Sequence, residues 1–429
     1  MKTTVIFLLF TFTFYEVACV GLTEVFSWRQ IEYEYGPGEG SDAGVIIFPG
    51  ATNKMKKTGS QSSTPPDVDY TPYNNVPMGA THHKGRLFIT MPRRRTGIPS
   101  TLNYIDMNKA AGNQSPRLRA YPNLEVNTLN TRADPTRIIS VYRTRVDACN
   151  RLWFIDTGML EYPDNRQQVQ QPSIWIIDLL TDKVINRFEI PGSIVSNGNG
   201  LPGITLDVDS SQCGDAFAYI PDLVNRALYV YSLRENNIWA FHHNYFSYDP
   251  LHGDLNIAGQ KFQWDDGIFS ITLGNTGRDG FRQAFFHAMA STSEFMVSTR
   301  VLRNQTAASR DYHGDDFQLA GERGDLSQST MHEFHKKTGV IFYDEISTSS
   351  VGCYSTKKAI NPINHGLIHK DEQKMIYPSD LMIDTEDDMW VMSNTMPRFI
   401  YSSLNPNEVN FRVWKANVYE AMKNTPCAY

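Results

Sequence analysis

The fold is decided by a short apolar segment, LFITM at residues 87–91, which ends at a turn and recurs in similar form along the chain. Its counterparts are LWFI at 152–155, FAYI at 217–220, FFHAM at 285–289, IFY at 341–343 and MWVM at 389–392. Intervals of roughly 50 to 70 residues are too long for a small solenoid repeat and suit four-stranded blades with loop insertions. The six segments predict an all-β fold, a six-bladed β-propeller with a central channel. We expect the function to lie at one mouth of that channel.

Turn residues and the chain ends support this interpretation. An aspartate follows a β-branched residue shortly before three of the segments, at Asp147, Asp209 and Asp384. Such an aspartate can bond the backbone two residues on, which favours a hairpin at each place. Residues 28–35 alternate polar and apolar toward their end, and Phe411 and Val413 alternate in the same way. We expect the two termini to share one blade and close the ring, which removes exposed sheet edges.

The first residues predict the compartment. Lys2 is followed by an apolar run at residues 5–15, and small residues then lead to a cleavage site after Cys19 or Gly21. This is the pattern of a secretory signal peptide, and the run is about half the roughly twenty residues that a membrane span needs. We therefore expect a signal peptide at residues 1–21, a secreted, extracellular protein with no membrane partner, and a single propeller domain at residues 22–429.

The remaining cysteines are an even set: Cys149, Cys213, Cys353 and Cys427. In an oxidising compartment they predict two disulfides, for which three pairings are possible. The repeat favours Cys149 with Cys213 and Cys353 with Cys427, because each pair then comes from neighbouring or closing blades. None of them forms a Cys-x-x-Cys pair, which disfavours a zinc site.

Other features describe the surface. Sequons at Asn113 and Asn304 predict glycosylation of a secreted protein. Residues 36–73 are rich in Gly, Ser, Pro, Lys and Asp, which is typical of a mobile insertion. The formal net charge of −6 disfavours nucleic acid as a partner. The basic cluster at residues 93–95 is interpreted as a solvated turn between two strands.

Several motifs together resemble those of the insect Yellow and major royal jelly proteins. They are RLFITMPR at 86–93, GIPSTL at 97–102, VDACNRLWFIDTG at 146–158, FQWDDGIF at 262–269 and VSTRVL at 297–302. The resemblance covers nearly the whole mature chain, is closest to the Yellow branch, which is linked to cuticle and melanin pigmentation, and implies a six-bladed propeller. Members of this family include dopachrome-converting enzymes, salivary proteins that bind biogenic amines, and cuticle or eggshell proteins with no agreed activity.

The resemblance also implies a ligand site. Amine-binding relatives hold their ligand at the channel mouth with residues of the last blade, and the matching positions here are Ser379, Asn394 and Met396. Relatives have Thr and Phe where this chain has Ser379 and Met396, so two hydrogen-bonding groups remain and an aromatic wall is lost. An aromatic face over a cation contributes about 0.5 to 2 kcal/mol, so this difference weakens amine binding.

Four more polar residues end blade strands: Asp156, Asp222, Glu345 and Thr348. In one interpretation the three carboxylates bond backbone amides at their strand ends and have no further role. In the other, several of the four side chains converge on the channel and bind a cationic ligand or a hard metal such as calcium. If burial raised the pKa of one carboxyl group, it could also exchange protons near neutral pH.

Familiar catalytic motifs do not occur in the sequence: there is no Gly-x-Ser-x-Gly elbow, no His-Glu-x-x-His and no phosphate-cradling loop. His332 and His335 are interpreted as a solvated pair, and no cofactor or metal is expected. We hypothesise a secreted protein that binds a small aromatic or catecholic amine-type metabolite in the channel. The alternatives are a dopachrome-converting isomerase or tautomerase, whose catalytic residues the sequence does not identify, and a structural protein with cuticle or extracellular matrix partners.

Overall fold

A computed structural model describes residues 21–35, 46–47, 70–130, 132–195 and 198–428. Within these ranges six four-stranded antiparallel sheets are arranged as the blades of a β-propeller, which confirms the predicted fold. Each of the six apolar segments forms the second strand of its blade. These second strands are almost entirely buried, because they have a sheet neighbour on both edges and another blade on each face.

Each blade is given below from its first strand to its fourth. The first strand lies innermost and the fourth lies outermost. Blade one contains Gly79–His83, Arg86–Thr90, Leu102–Asp106 and Arg119–Ala120; blade two contains Val141–Val146, Arg151–Asp156, Ser173–Asp178 and Lys183–Glu189. Blade three contains Thr205–Asp207, Phe217–Asp222, Ala227–Ser232 and Asn237–His242; blade four contains Ile268–Thr276, Arg282–Ala288, Ser293–Ser298 and Phe317–Glu322. Blade five contains Ser329–His335, Val340–Glu345, Ser350–Ser355 and Gly366–Lys370; blade six contains Tyr377–Ile383, Asp388–Asn394, Phe411–Asn417 and Thr23–Trp28.

Short elements connect the blades. The described two-stranded pairs are Glu34–Tyr35 with Ile46–Ile47, Met159–Leu160 with Gln167–Gln168, and Asp254–Ile257 with Gln260–Gln263. The described α-helices are Leu124–Asn127, Thr299–Leu302, Gln305–Ala308, Met396–Tyr401 and Val418–Met422, and the 3-10 helices are Asn244–Phe246 and Pro362–Asn364. None of the helices in the described residues has both the length and the apolar character needed to cross a membrane.

The aspartate-led turns form as expected. The carboxylate of Asp147 accepts from the amide of Cys149 at 2.8 Å and from the indole of Trp153 at 2.7 Å. Asp384 repeats the pattern in blade six, where it accepts from the amide of Glu386 at 2.9 Å and from the indole of Trp390 at 2.8 Å. One side chain therefore stabilises the turn and fixes a tryptophan of the following strand.

The ring closes through the termini as predicted, and Phe411 and Val413 lie in the closing strand, but the N-terminal strand ends where the predicted residues 28–35 begin. The N-terminal strand is Thr23–Trp28, and it pairs antiparallel with Phe411–Asn417. The alternation predicted for residues 28–35 has another cause: Ile31 and Tyr33 are buried beside blade one, where Tyr33 bridges to Leu118. Alternation records which side chains are buried and does not identify the partner strand.

Both predicted disulfides are present, Cys149–Cys213 between blades two and three and Cys353–Cys427 between blade five and the C-terminal segment. They close loops with sequence separations of 64 and 74 residues, for which the chain-entropy model gives about 4 kcal/mol each. Two such bonds fit an extracellular protein.

Other predictions concern the chain ends and the surface. The predicted signal peptide lies almost wholly outside the described residues, and so does the insertion at 36–73, apart from residues 46–47 and 70–73. In the latter stretch Tyr70 is buried and donates to the carbonyl of Ile31 at 2.6 Å. Asn113 and Asn304 are both exposed, and their glycosylation stays a prediction.

The solvated turn predicted at residues 93–95 is wrong for Arg93. Its guanidinium is buried and donates to five backbone carbonyls, those of Ile98, Pro99, Asn127, Ile138 and Ile139. Several chain segments bring backbone carbonyls to this position. The guanidinium has five N–H donors and can bond all of these carbonyls at once. It therefore stabilises the turn that carries its neighbours.

Candidate functional site

The six inner strands surround the axis and run in the same direction, so their starts form one mouth of the channel and their ends form the other. The mouth at the strand starts holds a cavity of about 300 Å³, which we call the aromatic mouth. Its wall includes Met78, Arg94, Tyr142, Arg143, Thr157, Met159, Tyr162, Pro163, Leu223, Trp264, Asp265, Asp266, Phe269, Tyr377, Met396, Ile400 and Tyr401. The mouth at the strand ends holds a cavity of about 370 Å³ lined by many ionisable side chains, which we call the charged mouth.

A buried layer of charged side chains separates the two mouths. Arg143 of blade two reaches across the axis and donates from Nε and Nη2 to the carbonyl of Ser379 in blade six, at 2.9 and 2.5 Å. Arg145 lies two residues further along the same strand. It donates from Nη2 to Asp380 Oδ1 at 2.9 Å. All four residues are buried. This axial layer ties non-adjacent blades together and lies between the two cavities.

The aromatic mouth presents ring faces and protonated phenols. Tyr142, Tyr162 and Tyr377 line the cavity together with Trp264 and Phe269. Burial raises the pKa of all three tyrosines above the ordinary value, so their hydroxyls stay protonated and can donate hydrogen bonds. The cavity can therefore hold a flat ring and bind oxygen atoms at its edge.

Asp266 is a carboxyl group of this mouth whose pKa is raised into the neutral range. Burial raises its pKa to about 7, the nearby charge of Asp265 adds to the rise, and the charge of Arg94 opposes it. Within the described part of the chain, no hydrogen bond reaches its carboxyl oxygens. A carboxyl group that titrates near neutral pH can both accept and return a proton at working pH.

The backbone around Asp266 is held tightly. The amide of Gly267 donates to the carbonyl of Leu223 at 2.9 Å, and the amide of Ala290 donates to the carbonyl of Asp266 at 3.2 Å. A Cβ on Gly267 would lie 2.6 Å from the carbonyl oxygen of Phe246, so only glycine fits. The segment that carries the carboxyl group is thus fixed against blades three and four.

Arg94 is the second unusual group of the aromatic mouth. Its guanidinium lies 5.9 Å from the ring centre of Tyr142 and 5.5 Å from that of Tyr162. Its Nε is buried and has no hydrogen-bond partner among the described residues. A carboxyl group with a raised pKa, a guanidinium and several aromatic rings therefore share one cavity.

Comparison with known proteins identifies the family. The family model described as major royal jelly protein matches residues 139–427. The chain is 54% identical over 409 residues to a protein of Drosophila melanogaster named L-dopachrome tautomerase yellow-f, a match that covers 95% of this chain and 94% of that one. This chain belongs to the major royal jelly protein family. It is also 36% identical over 412 residues to Protein yellow of Drosophila subobscura, covering 96% of this chain and 68% of that protein.

These matches confirm the resemblance to Yellow and royal jelly proteins that the sequence motifs indicated. Among solved structures, a luciferin-regenerating enzyme matches with a TM-score of 0.45 and 9% identity, covering 80% of this chain and 91% of that one. A likeness this remote carries no implication for function.

Of the three ligand residues implied by the family resemblance, one lines the cavity. Met396 contributes its side chain to the aromatic mouth. Ser379 and Asn394 are buried behind the wall: Ser379 Oγ donates to the carbonyl of Met78 at 3.0 Å, and Asn394 Nδ2 donates to the carbonyl of Pro77 at 2.8 Å. In this family member the two polar groups support the wall, and its aromatic faces come from Tyr377 of the same blade and from blades two and four.

The four polar strand ends do not converge. Asp156 accepts from the amides of Ile139, Ser140 and Gly158, and Asp222 accepts from the amides of Gly200, Val224 and Asn225. Glu345 Oε1 lies 2.8 Å from His365 Nε2, and Ser350 Oγ lies 2.7 Å from Thr348 Oγ1. The wall of the aromatic mouth includes none of these four residues in the described structure. For Asp156 and Asp222 the arrangement is that of the first interpretation, in which strand-end carboxylates bond backbone amides, whereas Glu345 bonds the side chains of Ser350 and His365.

Sequence reasoning missed the residues that define the cavity. Trp264, Asp265, Asp266 and Phe269 all belong to FQWDDGIF, a motif that served only to recognise the family. Its adjacent aspartates, flanked by aromatic residues and followed by a glycine, carried the signal. The interpretation of residues 93–95 as a solvated turn did not identify Arg94 as a residue of the cavity.

A buried His–Glu–His cluster lies between blades four and five. His287 Nδ1 and His332 Nε2 each lie 3.2 Å from a carboxylate oxygen of Glu294, and Ser270 Oγ lies 2.7 Å from His332 Nδ1. Arg323 Nε is 3.6 Å from Glu294 Oε2 and already balances the carboxylate charge, so a divalent cation would leave buried excess positive charge. The prediction of a solvated pair at His332 and His335 is wrong, because both are buried.

Proposed function

We propose that the protein is a secreted enzyme of melanin pigmentation that isomerises dopachrome at the aromatic mouth. The observation that carries the proposal is Asp266, a carboxyl group with a pKa of about 7 that faces an aromatic cavity beside a cation. The name of the relative that is 54% identical supports the same reaction. These observations favour catalysis over binding without turnover.

The chemistry suits a site without a cofactor. Dopachrome is a bicyclic aminochrome with two quinone oxygens and a carboxylate on a saturated ring carbon, and its isomerisation to a dihydroxyindole carboxylate moves two hydrogens from ring carbons to the two quinone oxygens without net oxidation. The ionised carboxyl of Asp266 accepts a proton from a ring carbon and returns it to a quinone oxygen, and the second hydrogen moves from carbon to the other quinone oxygen in the same way. The hydroxyls of Tyr162 and Tyr377, which burial keeps protonated, donate hydrogen bonds to quinone oxygens as these gain negative charge. General acid–base catalysis of this kind contributes about 10²- to 10⁴-fold.

The test is turnover of dopachrome by the purified secreted protein, followed through the loss of its visible absorbance. We expect acceleration over buffer and over heat-denatured protein. A rate equal to that of buffer would refute the enzymatic proposal.

A second candidate is the binding of a catecholic amine without turnover. The observation in its favour is the pair of adjacent carboxyls, Asp265 and Asp266, beside aromatic faces that suit a cation. Calorimetric titration with dopamine checks it: binding without dopachrome turnover would favour this candidate. If neither turnover nor binding is observed, a structural role in cuticle or eggshell is favoured.

A further inference from the structure

Three consecutive arginines have three different roles beside the aromatic mouth. The guanidinium of Arg93 is surrounded by backbone carbonyls, and Arg95 donates from Nη2 to the carbonyl of Phe399 at 2.7 Å while lying over its ring. Arg94, between them, lines the cavity, and no described residue accepts a hydrogen bond from its buried Nε. The neighbours anchor the turn at both sides and leave Arg94 oriented toward the cavity.

The other cation of this wall is already used. Arg143 donates from Nη1 to the carbonyl of Pro202 at 2.6 Å, in addition to its two bonds to Ser379. It is buried in the axial layer and has little capacity for a ligand. Within the described lining, Arg94 is thus the cation that can receive an anionic group of a ligand.

The surroundings of Arg94 favour a carboxylate carried by a ring system. Its guanidinium lies over the rings of Tyr142 and Tyr162 in the cavity wall, so a ligand whose ring lies in the cavity would bring a ring substituent near this cation. A guanidinium presents paired donors that match the two oxygens of a carboxylate. The site is partly withdrawn from water, which strengthens the attraction.

We propose that Arg94 binds the carboxylate of the substrate and makes the aromatic mouth selective for ring systems that carry one. This inference rests on the proposed function for its substrate and names the specificity residue of the same site. A site built around such a contact rejects an analogue without the group, because the donors are left unpaired.

The test uses two probes that do not react, indole-2-carboxylate and indole, which share the ring and differ in the carboxylate. We expect calorimetry to show at least tenfold tighter binding of indole-2-carboxylate to the wild-type protein. In Arg94→Gln this preference should disappear while indole binding changes less than twofold. Arg94→Lys retains the positive charge but lacks the paired N–H donors of a guanidinium. It should recover part of the preference for indole-2-carboxylate.

The matched control is Arg166→Gln. Arg166 also lies over the ring of Tyr162, at 5.6 Å, but it is exposed and does not line the cavity. We expect it to keep the wild-type preference. Equal affinity of the wild-type protein for the two probes, or an unchanged preference in Arg94→Gln, would overturn the inference. The comparison of the two probes on the wild-type protein needs no variant, so it tests the inference even if Arg94→Gln does not fold.

Turnover separates this inference from the proposed function. If the wild-type protein prefers indole-2-carboxylate but does not convert dopachrome, the role of Arg94 stands and the enzymatic proposal fails. If it converts dopachrome, the carboxylate-free analogue dopaminechrome should show a KM at least tenfold higher with a similar kcat, and Arg94→Gln should remove that difference. An equal loss on both substrates would contradict the assignment.

Discussion

The aromatic mouth and the charged mouth are formed by opposite ends of the same six inner strands, and they differ in how their charged groups are satisfied. At the charged mouth nearly every ionisable group has a partner: His82 Nδ1 lies 2.7 Å from Asp384, Arg282 Nε lies 2.9 Å from Asp207, and Lys337 Nζ lies 2.5 Å from Asp387. The aromatic mouth has fewer charged groups. There, neither the carboxyl of Asp266 nor Nε of Arg94 has a hydrogen-bond partner among the described residues.

The comparison teaches that the number of charged residues does not identify a reactive site. A carboxylate paired with a cation is stabilised as an anion and is a weak base, whereas a poorly hydrated carboxyl without a hydrogen-bond donor is poised to exchange protons. One residue tests this distinction within the charged mouth itself. Burial raises the pKa of Glu333 to about 7, and its nearest cation, Arg145 Nε, is 3.9 Å away.

The largest expected effect comes from breaking the layer that separates the mouths. Arg145→Met leaves the buried carboxylate of Asp380 without its closest cation, and we expect a loss of about 3 kcal/mol in the free energy of unfolding. Denaturant titration measures it. Arg187→Met, which removes a surface pair with the exposed Glu189, is the control and should cost less than about 1 kcal/mol. Equal losses in the two variants would show that the axial layer is not a special source of stability.

The next effect is on catalysis. Asp266→Asn keeps the size of the side chain and removes the base, so we expect kcat for dopachrome to fall by about 100-fold or more. Asp265→Asn is the matched control, because Asp265 is adjacent but exposed. It should lose less than about tenfold, through the lost rise in the pKa of Asp266. Full activity in Asp266→Asn would remove this residue from the mechanism.

The pH dependence sharpens the assignment. Asp266 acts as a base only when ionised, so kcat/KM should fall about tenfold per unit as pH drops below about 7 and level off above it. The charge of Arg94 lowers the pKa of Asp266, so Arg94→Gln should shift the profile to higher pH. Initial rates from pH 5 to 9 measure both. A profile centred near the ordinary carboxyl pKa, or an unshifted one in Arg94→Gln, would contradict this electrostatic description.

The smallest effect is expected at the charged mouth. Glu333→Gln changes a carboxyl group with a similarly raised pKa, but the axial layer separates it from the aromatic cavity. We expect kcat/KM for dopachrome to stay within about twofold of the wild-type value, with an unchanged pH profile. A loss comparable to that of Asp266→Asn would place the reaction at the wrong mouth.

Prediction from sequence succeeded where local patterns carry the information. The six apolar segments are the second strands of the six blades, the aspartates at 147 and 384 form their turns, and both disulfide pairings are correct. A repeated strand is buried in every blade for the same reason, so its composition repeats as well. The site was predicted less well than the fold, since only Met396 of the predicted ligand residues lines the cavity.

The sequence by itself determined the propeller, its closure by the termini and its family, because periodic burial and turn chemistry are properties of short segments. Only the tertiary structure decided which polar groups are free to react. Asp156 and Asp266 are both aspartates near strand ends, but three backbone amides satisfy the first and none reaches the second. Whether a carboxyl group is satisfied depends on donors that other loops bring to it, and those loops meet only when the ring has closed.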